Sequence, residues 1–173
     1  MEKKKLFTKA NWFKREADML LRRSRLLPFL ARYGKVEIRG SYALNLMLTG
    51  DIDIYVVNSK ITKAKVLKAF NALAKGTFFY GVMFYDYVRV RRSDFPRGYY
   101  LGLRRNQGKT KWKIDIWFMQ KPDAKSDRLM RQLQARLNDR LRHEILERKA
   151  ERDRKSLNIT SAEIYRSMIR VAL

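Results

Sequence analysis

Asp51-Ile52-Asp53-Ile54, preceded by Gly40-Ser41 and nine intervening residues, is the segment that most limits how this chain can fold. In an extended strand the side chains at i and i+2 share a face. Asp51 and Asp53 therefore stand on one side, while Ile52, Ile54 and Val56 stand on the other. Such a strand needs an apolar layer against one face and a cation or water against its other face. Ahead of it, Gly40 lets the backbone approach a neighbour closely and Ser41 adds a hydroxyl donor. Taken alone, Gly-Ser is an ordinary turn with an N-cap. Its weight comes from the strand Val36-Glu37-Ile38-Arg39 before it and the carboxylate strand after it.

Carboxylates are scarce here. The chain has 173 residues, 40 Lys and Arg against 17 Asp and Glu, and a formal charge of +23. Between Ile38 and Lys121 the only acids are Asp51, Asp53, Asp86, Asp94 and Asp115. An apolar-flanked acidic pair in so basic a region calls for a cation or a basic partner. A purely structural account also exists: Asp51 caps a turn after Gly50, and Asp53 pairs with one of the many arginines. Asp115 sits mid-strand in Lys113-Ile114-Asp115-Ile116, where propensity disfavours it. It is read either as the partner of an adjacent-strand arginine such as Arg104 or as a third metal ligand beside Asp51 and Asp53.

Cysteine is absent and His143 is the single histidine. Disulfides, thiolate metal sites and cysteine nucleophiles are excluded, and a histidine dyad or zinc cluster is disfavoured. Oxygen ligands remain, which favours Mg²⁺ or Mn²⁺. The length, with 46% hydrophobic and 12% aromatic residues, suffices for one core, or one core with a helical appendage. No apolar run approaches the roughly 18–20 residues that span a bilayer, and no signal-type apolar block follows the lysine-led start. The expectation is a cytoplasmic protein without a membrane partner. The charge predicts attraction to a polyanion, with RNA ahead of DNA.

Periodicity divides the chain into an α/β (α+β) region over residues 1–122 and a charged helical extension over 123–173. A helix over residues 8–31 is expected to kink or split at Pro28 and to end by Gly34. A short helix follows the Gly-Ser turn over residues 42–48, and its N-terminal amides face whatever sits above Gly40 and Ser41, phosphate being the usual occupant. Further elements are a strand over 51–57, a helix over 62–74, and one or two strands over 77–90. A basic turn runs through Arg89, Arg91, Arg92 and Asp94 to Arg97. Two strands over 99–105 and 111–119 are joined by Asn106-Gln107-Gly108. Lys113 shares a face with Asp115. From Ser126 to Lys155 a long helix carries a narrow stripe of Leu129, Leu133, Leu137, Leu141 and Ile145. It can pack on the sheet, pair with another copy or partner protein, or follow a phosphate backbone, and packing is favoured. Tyr99, Tyr100 and Trp112 are candidates for stacking on bases, although such rings are more often core.

Strand, Gly40-Ser41 turn, helix, Asp51-Ile52-Asp53 strand and Asp115 on a later strand: this order resembles the DNA polymerase β-like nucleotidyltransferase superfamily, most closely its small single-domain members, whether lincosamide-type or minimal. The resemblance covers residues 36–119. It implies a mixed β-sheet flanked by helices and transfer of a nucleoside monophosphate from an NTP to an acceptor hydroxyl, with release of pyrophosphate. It further implies that Asp51, Asp53 and Asp115 are catalytic and ligate two Mg²⁺ ions, Mn²⁺ being an alternative. Gly40 and Ser41 would hold the β and γ phosphates, Lys113 would add positive charge to the triphosphate, and Arg39, Arg104 and Lys111 are weaker candidates. Acceptors in the family range from RNA ends to aminoglycosides, lincosamides and protein hydroxyls, and the charge favours RNA here. Two other readings stay open: a non-catalytic, basic nucleic-acid-binding module of the same fold, and a minimal nucleotidyltransferase that modifies a partner protein.

Overall fold

In a computed structural model, residues 2–90, 92 and 95–171 are described, and they build a mixed α/β structure from seven helices and five strands. Helices α1 (Glu2–Ser24) and α2 (Leu26–Ala31) lead into β1 (Lys35–Arg39), the single turn α3 (Gly40–Ala43) and β2 (Asp51–Val57). After α4 (Lys63–Lys75) come β3 (Gly81–Asp86), β4 (Tyr99–Gln107) and β5 (Thr110–Met119). The chain closes with α5 (Ala124–Arg136), α6 (Asp139–Arg154) and α7 (Ser161–Val171). The sheet order is β1-β2-β5-β4-β3. β2 and β5 run parallel, and every other neighbouring pair is antiparallel.

Alternation sets the two faces of this sheet. Ile52, Ile54, Val56, Ile114, Ile116 and Phe118 are all fully buried and share a core with Leu20 of α1, Leu26 and Leu30 of α2, and Val66 and Ala69 of α4. Each such aliphatic side chain contributes about 1.5–3 kcal/mol through removal from water. A second core joins Ala10 of α1, Leu44, Leu46 and Leu48 after α3, Leu133 of α5, Ile145 and Leu146 of α6, and Ile164 and Met168 of α7. The C-terminal helices thus pack against the segment that links the Gly-Ser turn to β2. Among the described residues no helix is long and apolar enough to cross a membrane.

Several element boundaries differ from expectation, each for a local reason. The first helix splits at Arg25, which is left-handed with φ 50°, rather than at Pro28. Pro28 falls in the first turn of α2, where a missing N–H costs nothing. The helix expected over 42–48 is only Gly40–Ala43. Beyond it Asn45 takes φ 53°, Met47 enters the first core, and Leu44, Leu46 and Leu48 enter the second. An irregular path of turns and bends that feeds two cores replaces the helix. Only Gly81–Asp86 of the 77–90 segment is a strand, because Asp86 turns the chain by accepting the amides of Val88 and Arg89, both at 3.2 Å.

The β4–β5 hairpin pairs Gln107 with Thr110, so its tight turn is Gly108-Lys109, with Gly108 at φ 56°. The long C-terminal helix is two helices. Asn138 caps the second by accepting the Leu141 amide at 2.9 Å, and the stripe residues Leu133, Leu141 and Ile145 are buried in the second core. Within the expected basic turn, Arg91 and Asp94 lie outside the described residues.

Candidate active site

Parallel pairing of β2 with β5 is what assembles the site. The register sets Asp53 opposite Asp115 and Asp51 opposite Lys113. Because all four alternate away from the buried isoleucines, their side chains meet on the face opposite the first core. One carboxylate oxygen from each of Asp51, Asp53 and Asp115 lies within 4.8 Å of the others. Asp51 Oδ1 is buried without a hydrogen-bond partner. Gly40 adjoins this group at φ +61°, and a Cβ there would run into the Asp53 carboxylate. Position 40 therefore requires glycine both for its backbone angle and for the space that Asp53 occupies. A buried carboxylate oxygen without a hydrogen bond and three converging acids are what a hard divalent cation with oxygen ligands needs.

The electrostatics follow first from burial of the acids and then from crowding like charges at the floor of the site. Burial pushes the Asp53 carboxyl up to about 7, with repulsion from Asp51 and Asp115 adding to it and Lys113 and Lys149 opposing. Asp51 is raised for the same reasons, burial first and Asp115 next, against the pull of Lys113. Lys113 stands between the acids, its Nζ 2.5 Å from Asp115 Oδ2 and 3.7 Å from Asp51 Oδ1. Burial pulls its pKa down, but Asp51 and the hydrogen-bonded Asp115 outweigh that and leave it raised. Tyr100 donates its hydroxyl to Asp115 Oδ1 at 2.7 Å, and burial together with that bond raises the phenol. Arg104 Nη1, the partner considered for Asp115 from sequence, lies farther off at 4.0 Å.

Lys149 was not legible as a site residue. It projects from α6, is 3% exposed, and donates to Ser41 Oγ at 2.8 Å and to the Leu46 carbonyl at 2.7 Å. No carboxylate forms an ion pair with it among the described residues. Burial, with Arg152 nearby, brings its pKa down to about 8. Tyr165 of α7 completes the group, its hydroxyl 3.3 Å from Ser41 Oγ. A signal was present in the sequence: 149 extends the buried series Leu141, Ile145 by another four residues, so a charge there points inward.

Other candidates are placed elsewhere. Arg39 is tied to Glu37 at 3.0 Å and to Asp127 of α5. Lys111 is exposed on β5. Trp112 is 1% exposed and packs edge-on against Phe13, and Tyr99 packs on the first core, so neither offers a ring to a base. The alternation that turns Asp115 outward turns Trp112 inward. With only one turn, α3 supplies little of the dipole expected of a longer helix behind Gly40 and Ser41. What the structure brings together is Gly40, Ser41, Asp51, Asp53, Lys113 and Asp115, joined by Tyr100 and Lys149. Comparison with family models, curated proteins and solved structures found no match to this chain.

Proposed function

We propose that the protein is a metal-dependent nucleotidyltransferase that moves a nucleoside monophosphate from an NTP to an acceptor hydroxyl. The observation that carries this reading is the convergence of Asp51, Asp53 and Asp115 from two parallel strands, one oxygen of each within 4.8 Å of the others. The order of the Gly-Ser turn and these acids, which resembles that of the DNA polymerase β-like superfamily, supports it. Asp51, Asp53 and Asp115 would hold Mg²⁺, two ions by that resemblance, with Mn²⁺ as an alternative. When bound, the metal neutralises phosphate charge and stabilises the attacking and leaving oxygens of an in-line displacement.

The chain's own groups bind and orient. Gly40 leaves room for the Asp53 carboxylate beside the turn, and the Ser41 hydroxyl, held by Lys149 and Tyr165, would with the turn hold the β and γ phosphates, as the resemblance implies. Lys149 supplies a buried positive charge beside the triphosphate, where low dielectric strengthens its attraction. Lys113, on the face of Asp115, would add positive charge to the triphosphate. The acceptor oxygen bonds to the α-phosphorus while that phosphorus loses its bond to the bridging oxygen. Pyrophosphate departs with the electron pair, and the acceptor proton passes to water. The +23 charge favours a nucleic-acid partner, RNA ahead of DNA, and a cytoplasmic setting suits such a substrate.

One observation favours the non-catalytic reading. Lys113 already neutralises Asp115 at 2.5 Å, as an internal counter-ion would in a module that only binds nucleic acid through its basic surface. The two readings separate in one assay. Purified protein is incubated with Mg²⁺, each labelled NTP, and total RNA or a panel of small acceptors. Pyrophosphate release that needs Mg²⁺ and is lost in Asp51→Asn and Asp115→Asn is the expected result. No release, or release unchanged in those variants, overturns the transferase reading.

A further inference from the structure

The face of the sheet that carries the acids also carries an aromatic shelf outside the first core, joined to the carboxylate group through Tyr100. Trp117, two residues beyond Asp115 on the same face, meets Tyr100 at 5.1 Å, Tyr87 at 5.3 Å and Phe95 at 5.7 Å between ring centroids. Tyr85 extends the shelf, 5.9 Å from both Tyr87 and Tyr100. Tyr100 ties it to the site, because its hydroxyl holds Asp115 while its ring lies against Trp117 and Tyr85. A cluster that served packing alone would hide its rings. Here Tyr85 is 51% exposed and Phe95 40% exposed.

Arginines border the shelf. Arg89, Arg92 and Arg97 are exposed on the segment that follows β3, and the Arg92 guanidinium lies 4.9 Å from the Phe95 ring centre. Among the described residues the acids next to the shelf are engaged, Asp86 by Lys63 at 3.1 Å and by backbone amides, and Asp115 by Tyr100 and Lys113. Flat exposed rings bordered by arginines suit stacked bases on a phosphate chain. A duplex hides the faces of its bases, so the fit is to a single strand.

We infer that this shelf is the acceptor subsite. The terminal base of a single-stranded nucleic acid stacks on Tyr85 and Phe95, the arginines hold its phosphates, and its terminal hydroxyl lies on the Asp115 side of the site. The inference rests on the transferase reading for the word acceptor. The binding itself does not.

Fluorescence anisotropy with a labelled twelve-nucleotide single-stranded RNA, and with the same sequence as a duplex, tests it on the full chain. Tyr85→Ala is expected to weaken the single strand about five- to a hundred-fold and the duplex less than about two-fold. Tyr85→Trp retains the affinity, and Tyr80→Ala, at an exposed ring outside the shelf, leaves it unchanged. In turnover with the same strand, Tyr85→Ala raises the KM for the strand and not for the NTP. Unchanged binding in a folded Tyr85→Ala, Phe95→Ala double variant overturns the shelf, as does an equal loss on duplex or a rise in the NTP KM alone. If wild type releases pyrophosphate while Tyr85→Ala binds normally, the shelf fails and the transferase stands. Tyr85-dependent binding with no pyrophosphate release from any NTP overturns the acceptor role through failure of the transferase reading itself.

Discussion

β2 and β5 present two faces made by the same residues in alternation, and the faces obey opposite rules. On one, Ile52, Ile54, Ile114 and Ile116 are fully buried against helices. On the other, Asp51, Asp53, Lys113 and Asp115 crowd charge into a partly covered recess, with Asp53 held up to about 7. The apolar face supplies the burial energy that the acidic face spends on like-charge repulsion. Stability and chemistry are therefore divided across a single sheet, and a shift of one residue in register would exchange them.

Placing a carboxylate on the wrong face should break this division most severely. Ile116→Asp adds an unpaired charge to the first core beside Asp115 and is expected to cost at least about 4 kcal/mol in chemical denaturation. The reverse change on the acidic face has the opposite sign. With its pKa raised in the fold, Asp53 contributes stability below the unfolded value near 4 and loses it as pH rises through about 7. Asp53→Asn is thus expected to stabilise the metal-free protein by about 1–3 kcal/mol at pH 8 and hardly at all at pH 4. Thermal melts at the two pH values check the sign.

Gly40→Ala tests the wall of the site rather than its floor. Its positive φ costs about 1–2 kcal/mol with a Cβ present, and that Cβ displaces the Asp53 carboxylate, so divalent-metal binding should fall together with stability. Lys149→Met should have the smallest effect on folding, within about 1.5 kcal/mol, because removal of a buried charge offsets the donors lost by Ser41 and Leu46. Its effect should instead fall on NTP affinity, with the affinity for a nucleic-acid strand retained. An unchanged NTP KM in a folded Lys149→Met would assign Lys149 to structure alone.

Alternation is also what made much of the molecule legible. β2 was readable to the residue from Asp51 to Val57, because each apolar position has a polar neighbour and Gly50 marks the start. Helix α4 announced itself through Val66, Leu67, Phe70 and Leu73 at helical spacing, and Thr62 caps it by accepting the Lys65 amide at 3.4 Å. The three acids were legible as a group because so few others occur nearby. Lys113 was legible with them through the face it shares with Asp115, but Lys149 and Tyr165 were not. Lys149 meets Ser41 through packing of α6 on the 44–48 segment, a long-range event with no local signature beyond one charge on an apolar stripe. The helix expected after Ser41 failed because two cores pull alternate residues apart, and tertiary burial outweighed helical spacing. Trp112 was offered as a surface ring although its own alternation, opposite to Asp115, placed it inside.

If the acidic face holds a divalent cation, calorimetric titration of Mn²⁺ or Mg²⁺ into the metal-free protein should register it. Binding should tighten from pH 6 to pH 8, as protons cease to compete at Asp53, and should be abolished in Asp53→Asn. Binding that is absent in the wild type, or equal in the wild type and Asp53→Asn, would contradict that reading.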